Sequence, residues 1–226
     1  MMNIGILIPD KLEYKPFYEY VINKKGTNIQ DEYYDVCSLE IKDKKIYLLR
    51  CEIGKVRSAA ATAYLINKYK SDIVINAGLA GSPFNRIEKG SICVGSKYVE
   101  ADFDLTALSY KLGEKSDKTY FNFANPNLLN IATKKCNLES GIIASGDFFL
   151  NDEKKSEFLI DEFDLSVFDM ESAAVADICK IYKIPFISVR KISDDGSKSA
   201  KDDYGRENEG KKKDLVAAVF DLVEKI

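Results

Sequence analysis

Short runs of aliphatic and β-branched residues alternate with helical stretches along the whole chain, and this alternation restricts the fold more than any other feature. The strand candidates are Asn3–Ile8, Lys45–Cys51, Ile73–Ala77, Ile92–Val99, Gly141–Ser145, Leu165–Phe168 and Pro185–Ile192. Several are continuously apolar, as strands covered on both faces must be. The helix candidates are Glu13–Lys24, Lys55–Lys70, Asn127–Cys136, Asp152–Phe158, Met170–Lys183 and Lys211–Ile226. In the last, Leu215, Val219, Leu222, Val223 and Ile226 fall on one stripe, a core-facing pattern. The expectation is an α/β fold in one domain spanning residues 1–226, long enough to bury a two-sided sheet. The polar stretch Ser193–Gly210 reads as a mobile loop, and Lys211, Lys212 and Lys213 as a solvated helix start.

The chain has no histidine. Ser-His-Asp triads, Cys-His dyads and His-ligated metals are therefore excluded, and acid–base chemistry falls mainly to Asp and Glu. A net charge of −3 argues against a nucleic-acid partner. No apolar run has the roughly 18–20 residues of a membrane span. The first residues, MMNIGILIPDKLEY, read as a strand rather than a signal peptide. The cysteines Cys37, Cys51, Cys93, Cys136 and Cys179 are scattered without a CxxC spacing, which suggests free thiols in a reducing cytoplasm.

The densest concentration of chemistry lies in Val167–Gly196. There a strand end, a helix and a second strand bring Asp169, Met170, Glu171, Arg190 and Asp194 toward the carboxyl edge of a sheet, where open α/β folds build their sites. Taken singly, these residues have plainer readings. Glu171 complements a helix dipole, Asp194 and Asp195 before Gly196 make a turn, and Glu13 is a solvated helix charge. Gly78 and Gly81 satisfy a turn or admit a ligand closely. Neither Gly54-Lys55 nor Gly113–Ser116 fits a phosphate loop.

Five stretches in order resemble the 5′-methylthioadenosine/S-adenosylhomocysteine nucleosidases of the nucleoside phosphorylase superfamily. They are NIGILIPDKLEYKPF, IGKVRSAAATAYLI, INAGLAGS, ADFDLTALSYKLG, and IIASGDFFLND taken with DMES and ISDDG. The resemblance implies a three-layer sandwich with a mixed central β-sheet flanked by helices. It also implies hydrolysis of the N-glycosidic bond of 5′-thio-substituted adenosines without a metal or organic cofactor. By the same resemblance Asp194 is the acid that protonates the purine and Glu13 the base that activates water. Glu171 receives the ribose hydroxyls, Arg190 stands beside the water, and Met170 lies against the ribose. Phe149 stacks on adenine, the main chain of Leu150 pairs with its edge, and Ser193 steadies Asp194. Gly78, Leu79 and Ile53 complete the wall, Leu79 standing where the family commonly has Ser.

The family implies a homodimer in which Leu105 and Leu108 enter the partner's pocket, with Tyr204 as a lid residue. A phosphorylase on the same fold needs an anion site. Neither the IPDKLE loop nor the NAGLAGS turn supplies a cation for one, and Arg57 and Arg86 are out of place. A non-catalytic nucleoside binder would have no use for a water-activating base. Lys198, Lys201 and Arg206 are candidates to receive an acidic 5′ tail.

Overall fold

The computed structural model describes residues 1–205 and 214–226 in full, together with the backbone of 206–210 and 213. Arg206 and the Lys211–Lys213 tract therefore lie outside the fully described residues. Ten strands form one mixed sheet. They are β1 (Met2–Ile8), β2 (Thr27–Ile29), β3 (Asp35–Ile41), β4 (Lys44–Arg50), β5 (Ile73–Gly81), β6 (Ile92–Glu100), β7 (Asn122–Phe123), β8 (Glu139–Ser145), β9 (Val167–Asp169) and β10 (Phe186–Asp194). The order is β10-β6-β8-β9-β5-β1-β4-β3-β2, with β7 on β6. β10 also pairs with β5, in parallel, so β5, β10, β6, β8 and β9 close a circuit of pairings. Parallel pairs join β1 to β4 and β5, while β3 runs antiparallel to β4.

The helices are α1 (Lys11–Asn23), α2 (Lys55–Tyr69), α3 (Pro126–Asn130), α4 (Glu153–Phe163), α5 (Ser172–Tyr182), α6 (Ala200–Gly210) and α7 (Lys213–Lys225). Each flanking helix lays its apolar stripe on the sheet. α7 buries Leu215, Val219, Leu222 and Val223 against a core that holds Ile4, Ile6, Val74 and Ile187. Burying a side chain of this kind contributes about 1.5–3 kcal/mol. The sheet-on-helix arrangement is the mixed α/β fold expected from the alternation.

Three elements depart from the sequence reading. β2, β3 and β7 were not signalled, because their runs are short or broken by charge. The helix expected over Asn127–Cys136 is an α turn followed by a π turn over Ile131–Lys135. The stretch read as a loop from Ser193 instead completes β10 through Asp194 and then forms α6. Its polarity hid a helix whose Tyr204 lines a cavity while Lys201 and Asp202 are exposed. No helix among the described residues is long and apolar enough to cross a membrane.

Candidate active site

The carboxyl ends of β1, β5, β9 and β10, with the segment after β8, surround one cavity of about 160 Å³. Its wall holds Pro9, Asp10 and Glu13 from the β1–α1 turn, Leu79–Gly81 from β5, Phe148–Leu150 after β8, Phe168–Glu171 around β9, and Ser193 and Asp194 from β10. Ile53 and Tyr204 close the remaining sides. Parallel strands carry their last residues to a common edge, so residues far apart in sequence converge here.

Glu13 is only 3 % exposed, which rules out the solvated helix charge. It sits in the first turn of α1, capped by Asp10, whose Oδ1 accepts from the Leu12 and Glu13 amides at 2.7 and 3.3 Å. The Leu79 amide donates to Glu13 Oε1 at 3.0 Å, so the main chain makes a contact that the Leu79 side chain cannot. Gly78 is not on the cavity wall; it allows close packing behind it. A Cβ there would stand 2.5 Å from Arg190 Nη1 and 2.8 Å from Glu13 Oε2. Any side chain would push these two groups away.

Arg190 is fully buried and lies behind the wall rather than on it. Its Nε pairs with Asp169 at 2.8 Å and its Nη2 with Glu171 at 3.4 Å, and Nη2 also bonds Asn76 and Ser172. Nη1 has no hydrogen-bond partner among the described residues. Asp169 organises the start of α5. Its Oδ1 accepts from the amides of Glu171 and Ser172, each at 3.1 Å, and from Ser145 Oγ at 2.5 Å. Asp169 thus takes the capping role, and Glu171 is left free to face the cavity. The Gly54 amide donates to Glu171 Oε1 at 3.1 Å. Burial pushes the Glu171 carboxyl up to about 8, against the downward pull of Arg190 and with Asp169 and Glu13 adding to the rise.

Asp194 is 3 % exposed. Burial raises its carboxyl above the usual range, opposed by hydrogen bonds from Ser193 and the Gly196 amide. The Gly196 amide donates to Oδ1 at 3.1 Å, while Ser193 Oγ lies 2.7 Å from Oδ2 and 3.1 Å from the Ala80 carbonyl. A Cβ on Gly81 would stand 2.7 Å from Asp194 Oδ1, so this glycine admits the carboxyl to its place. Phe149 is 42 % exposed on the cavity wall and meets Tyr204 edge-on, with centroids 5.8 Å apart. Phe148 also lines the cavity and packs on Phe168 at 4.8 Å.

The structure gathers Glu13, Ile53, Leu79, Phe149, Leu150, Met170, Glu171, Ser193, Asp194 and Tyr204 on this wall. It does not bring Leu105 or Leu108 there; both stand on a separate 3-10 turn, and Leu108 is 67 % exposed. Lys198 and Lys201 are likewise off the wall. Sequence reasoning missed Pro9, Asp10, Ala80, Phe168 and the structural weight of Asp169. Asp10 had one legible signal, its place three residues before Glu13 at a helix start.

Fold and wall together define a class: an α/β protein whose sheet edge buries carboxylates around a small, mostly apolar cavity. Residues 3–226 match the family model described as Phosphorylase superfamily, and the chain belongs to it. A 5′-methylthioadenosine/S-adenosylhomocysteine nucleosidase of Desulfotalea psychrophila is 34% identical over 195 residues, covering 83% of this chain and 83% of that protein. The Bacillus subtilis nucleosidase of the same name is 32% identical over 190 residues, covering 80% and 82%. Within the superfamily, the chain belongs to this nucleosidase family. A Helicobacter pylori nucleosidase variant with 5′-methylthioadenosine in its active site superposes with a TM-score of 0.94 at 27% identity, covering 100% of both chains. A futalosine hydrolase of the same organism gives a TM-score of 0.94 at 27% identity, covering 100% of this chain and 98% of that one.

Proposed function

We propose that the protein hydrolyses the N-glycosidic bond of 5′-thio-substituted adenosines, such as 5′-methylthioadenosine and S-adenosylhomocysteine, releasing adenine and the thioribose. The observation that carries this reading is the convergence of three buried carboxyl groups, Glu13, Glu171 and Asp194, on one cavity.

Their environments differ in the way the reaction requires. Cleavage places positive charge on the ribose and negative charge on the departing base. Asp194, whose carboxyl burial raises, is the group that delivers a proton to N7 of the purine. The Ser193 hydroxyl lies within donating distance of both the Ala80 carbonyl and Asp194 Oδ2, which fixes the orientation of the carboxyl. Phe149 and Leu150 flank the same end and hold the adenine. Met170 and Glu171 hold the ribose, Glu171 accepting hydrogen bonds from its hydroxyls. Glu13 takes a proton from the attacking water, held by the Leu79 amide, while Arg190 Nη1 reaches the same region past Gly78. The water oxygen bonds to C1′, the C1′–N9 bond breaks, and its electrons go to a base already protonated by Asp194.

Phosphorolysis is disfavoured by the commitment of Arg190 to Asp169 and Glu171, which leaves little charge for a phosphate. The apolar, exposed turn at Leu105–Leu108 supports a homodimer in which each chain completes its partner's pocket. We further propose a single domain over residues 1–226, a cytoplasmic location and a part in salvaging the methylthio group. The direct test is adenine release from 5′-methylthioadenosine in phosphate-free buffer and again with phosphate. Release without phosphate is expected. Release only with phosphate would make the protein a phosphorylase.

A further inference from the structure

We propose that Asp10 filters the 5′ substituent by charge, favouring cationic over neutral tails and disfavouring anionic ones. This rests on the nucleosidase reading above and narrows its substrate class.

With the purine at Asp194 and the ribose hydroxyls at Glu171, the wall left for the 5′ group includes Pro9, Asp10, Ile53 and Tyr204. Ile53 is 45% exposed, so this end opens toward solvent and a long tail leaves the cavity past Asp10. Both capping bonds of Asp10 use Oδ1, from the Leu12 and Glu13 amides. Oδ2 makes no hydrogen bond and Asp10 forms no ion pair among the described residues. Lys11, next in the chain, lines a separate groove with Tyr14 and Tyr18. The cap is thus anchored by one oxygen and has the other to offer.

Among the described residues no cation stands on the wall to offset it. Asp10, Glu13, Asp169, Glu171 and Asp194 all line the cavity, and Arg190, behind it, is held by Asp169 and Glu171. A unit charge roughly 6 Å from a carboxylate in watery surroundings changes affinity about threefold. A cationic and an anionic tail of equal length should therefore differ about tenfold, most strongly at low salt.

The test uses three 5′-thioadenosines of equal tail length, alkyl, aminoalkyl and carboxyalkyl, with wild type and Asp10→Asn. Asparagine caps a helix as well as aspartate, so the variant removes charge and keeps the turn. The wild type should follow the order aminoalkyl, alkyl, carboxyalkyl in kcat/KM. In Asp10→Asn the ratio of aminoalkyl to carboxyalkyl should fall about tenfold. A damaged cap would lower all three alike and leave the ratio unmoved, which would overturn the assignment. A wild-type preference for the carboxyalkyl tail would overturn it too, pointing instead to Arg57 beyond Ile53. If no tail releases adenine, the hydrolase reading fails by itself. The same order and the same loss of it in Asp10→Asn are then read from dissociation constants measured by calorimetry.

Discussion

Glu13 and Asp194 are both buried carboxyl groups, and their neighbours set them apart. Glu13 receives the Leu79 amide on one oxygen, whereas Asp194 receives the Gly196 amide on one oxygen and faces the Ser193 hydroxyl with the other. Glu13→Gln and Asp194→Asn should each lower kcat about 10²–10⁴-fold while the protein stays folded, as read by single-turnover adenine release and circular dichroism. Gly81→Ala tests the fit around Asp194, since the new methyl would stand 2.7 Å from Oδ1. It should lower kcat with little change in melting temperature. The raised carboxyl of Glu171 carries a stability consequence whose sign can be worked out. Its folded value lies above its unfolded one, so its contribution is fully present below the ordinary Glu range and is lost as pH rises through about 8. Glu171→Gln does not titrate. Its melting temperature should gain on wild type between pH 5 and pH 9, even as its activity falls; an equal difference at both would sink the idea.

Among the elements, the amino end of α2 is tied to two other segments by a closed ring of contacts. Lys55 Nζ meets Asp102 Oδ1 at 2.5 Å, Asp102 Oδ2 accepts from the Asp147 amide at 2.8 Å, and Asp147 Oδ1 accepts from the Lys55 amide at 2.8 Å. Glu100 joins the ring at 2.8 Å from Lys55 Nζ. The neighbouring Gly54 amide holds Glu171, and Phe148–Leu150 follow Asp147, so the ring sets ribose and purine contacts relative to each other. Lys55 is a positioning residue on this geometry. Lys55→Met should lower kcat/KM on the order of 10-fold to 10²-fold, the scale of a small misplacement of a bound substrate. Lys55→Arg should restore much of it, and a shared loss of melting temperature without that rescue would mean a purely structural role. The same elements show where sequence patterns stopped short. α2 and α5 were legible from their periodicity, while α6 was not, because a helix that presents one aromatic to a cavity and charge elsewhere has no apolar stripe to read.

At the scale of the whole molecule, the exposed turn bearing Leu105 and Leu108 is the feature one chain leaves unexplained. If a partner chain covers it, Leu108→Glu should shift sedimentation toward a monomer and raise KM for 5′-methylthioadenosine. A monomeric wild type would remove the basis for the shared pocket. The alternation of strands and helices and the order of the five motifs were enough to place the α/β class and most of the cavity wall. These follow from local periodicity and from residue type, which a linear chain displays openly. The burial of Glu13, the capping of α5 by Asp169 in place of Glu171 and the open oxygen of Asp10 were not legible. Each depends on which strands lie side by side and on what fills the space between them. That adjacency arises from pairings such as β10 with β5, more than a hundred residues apart in sequence, and no local pattern encodes it.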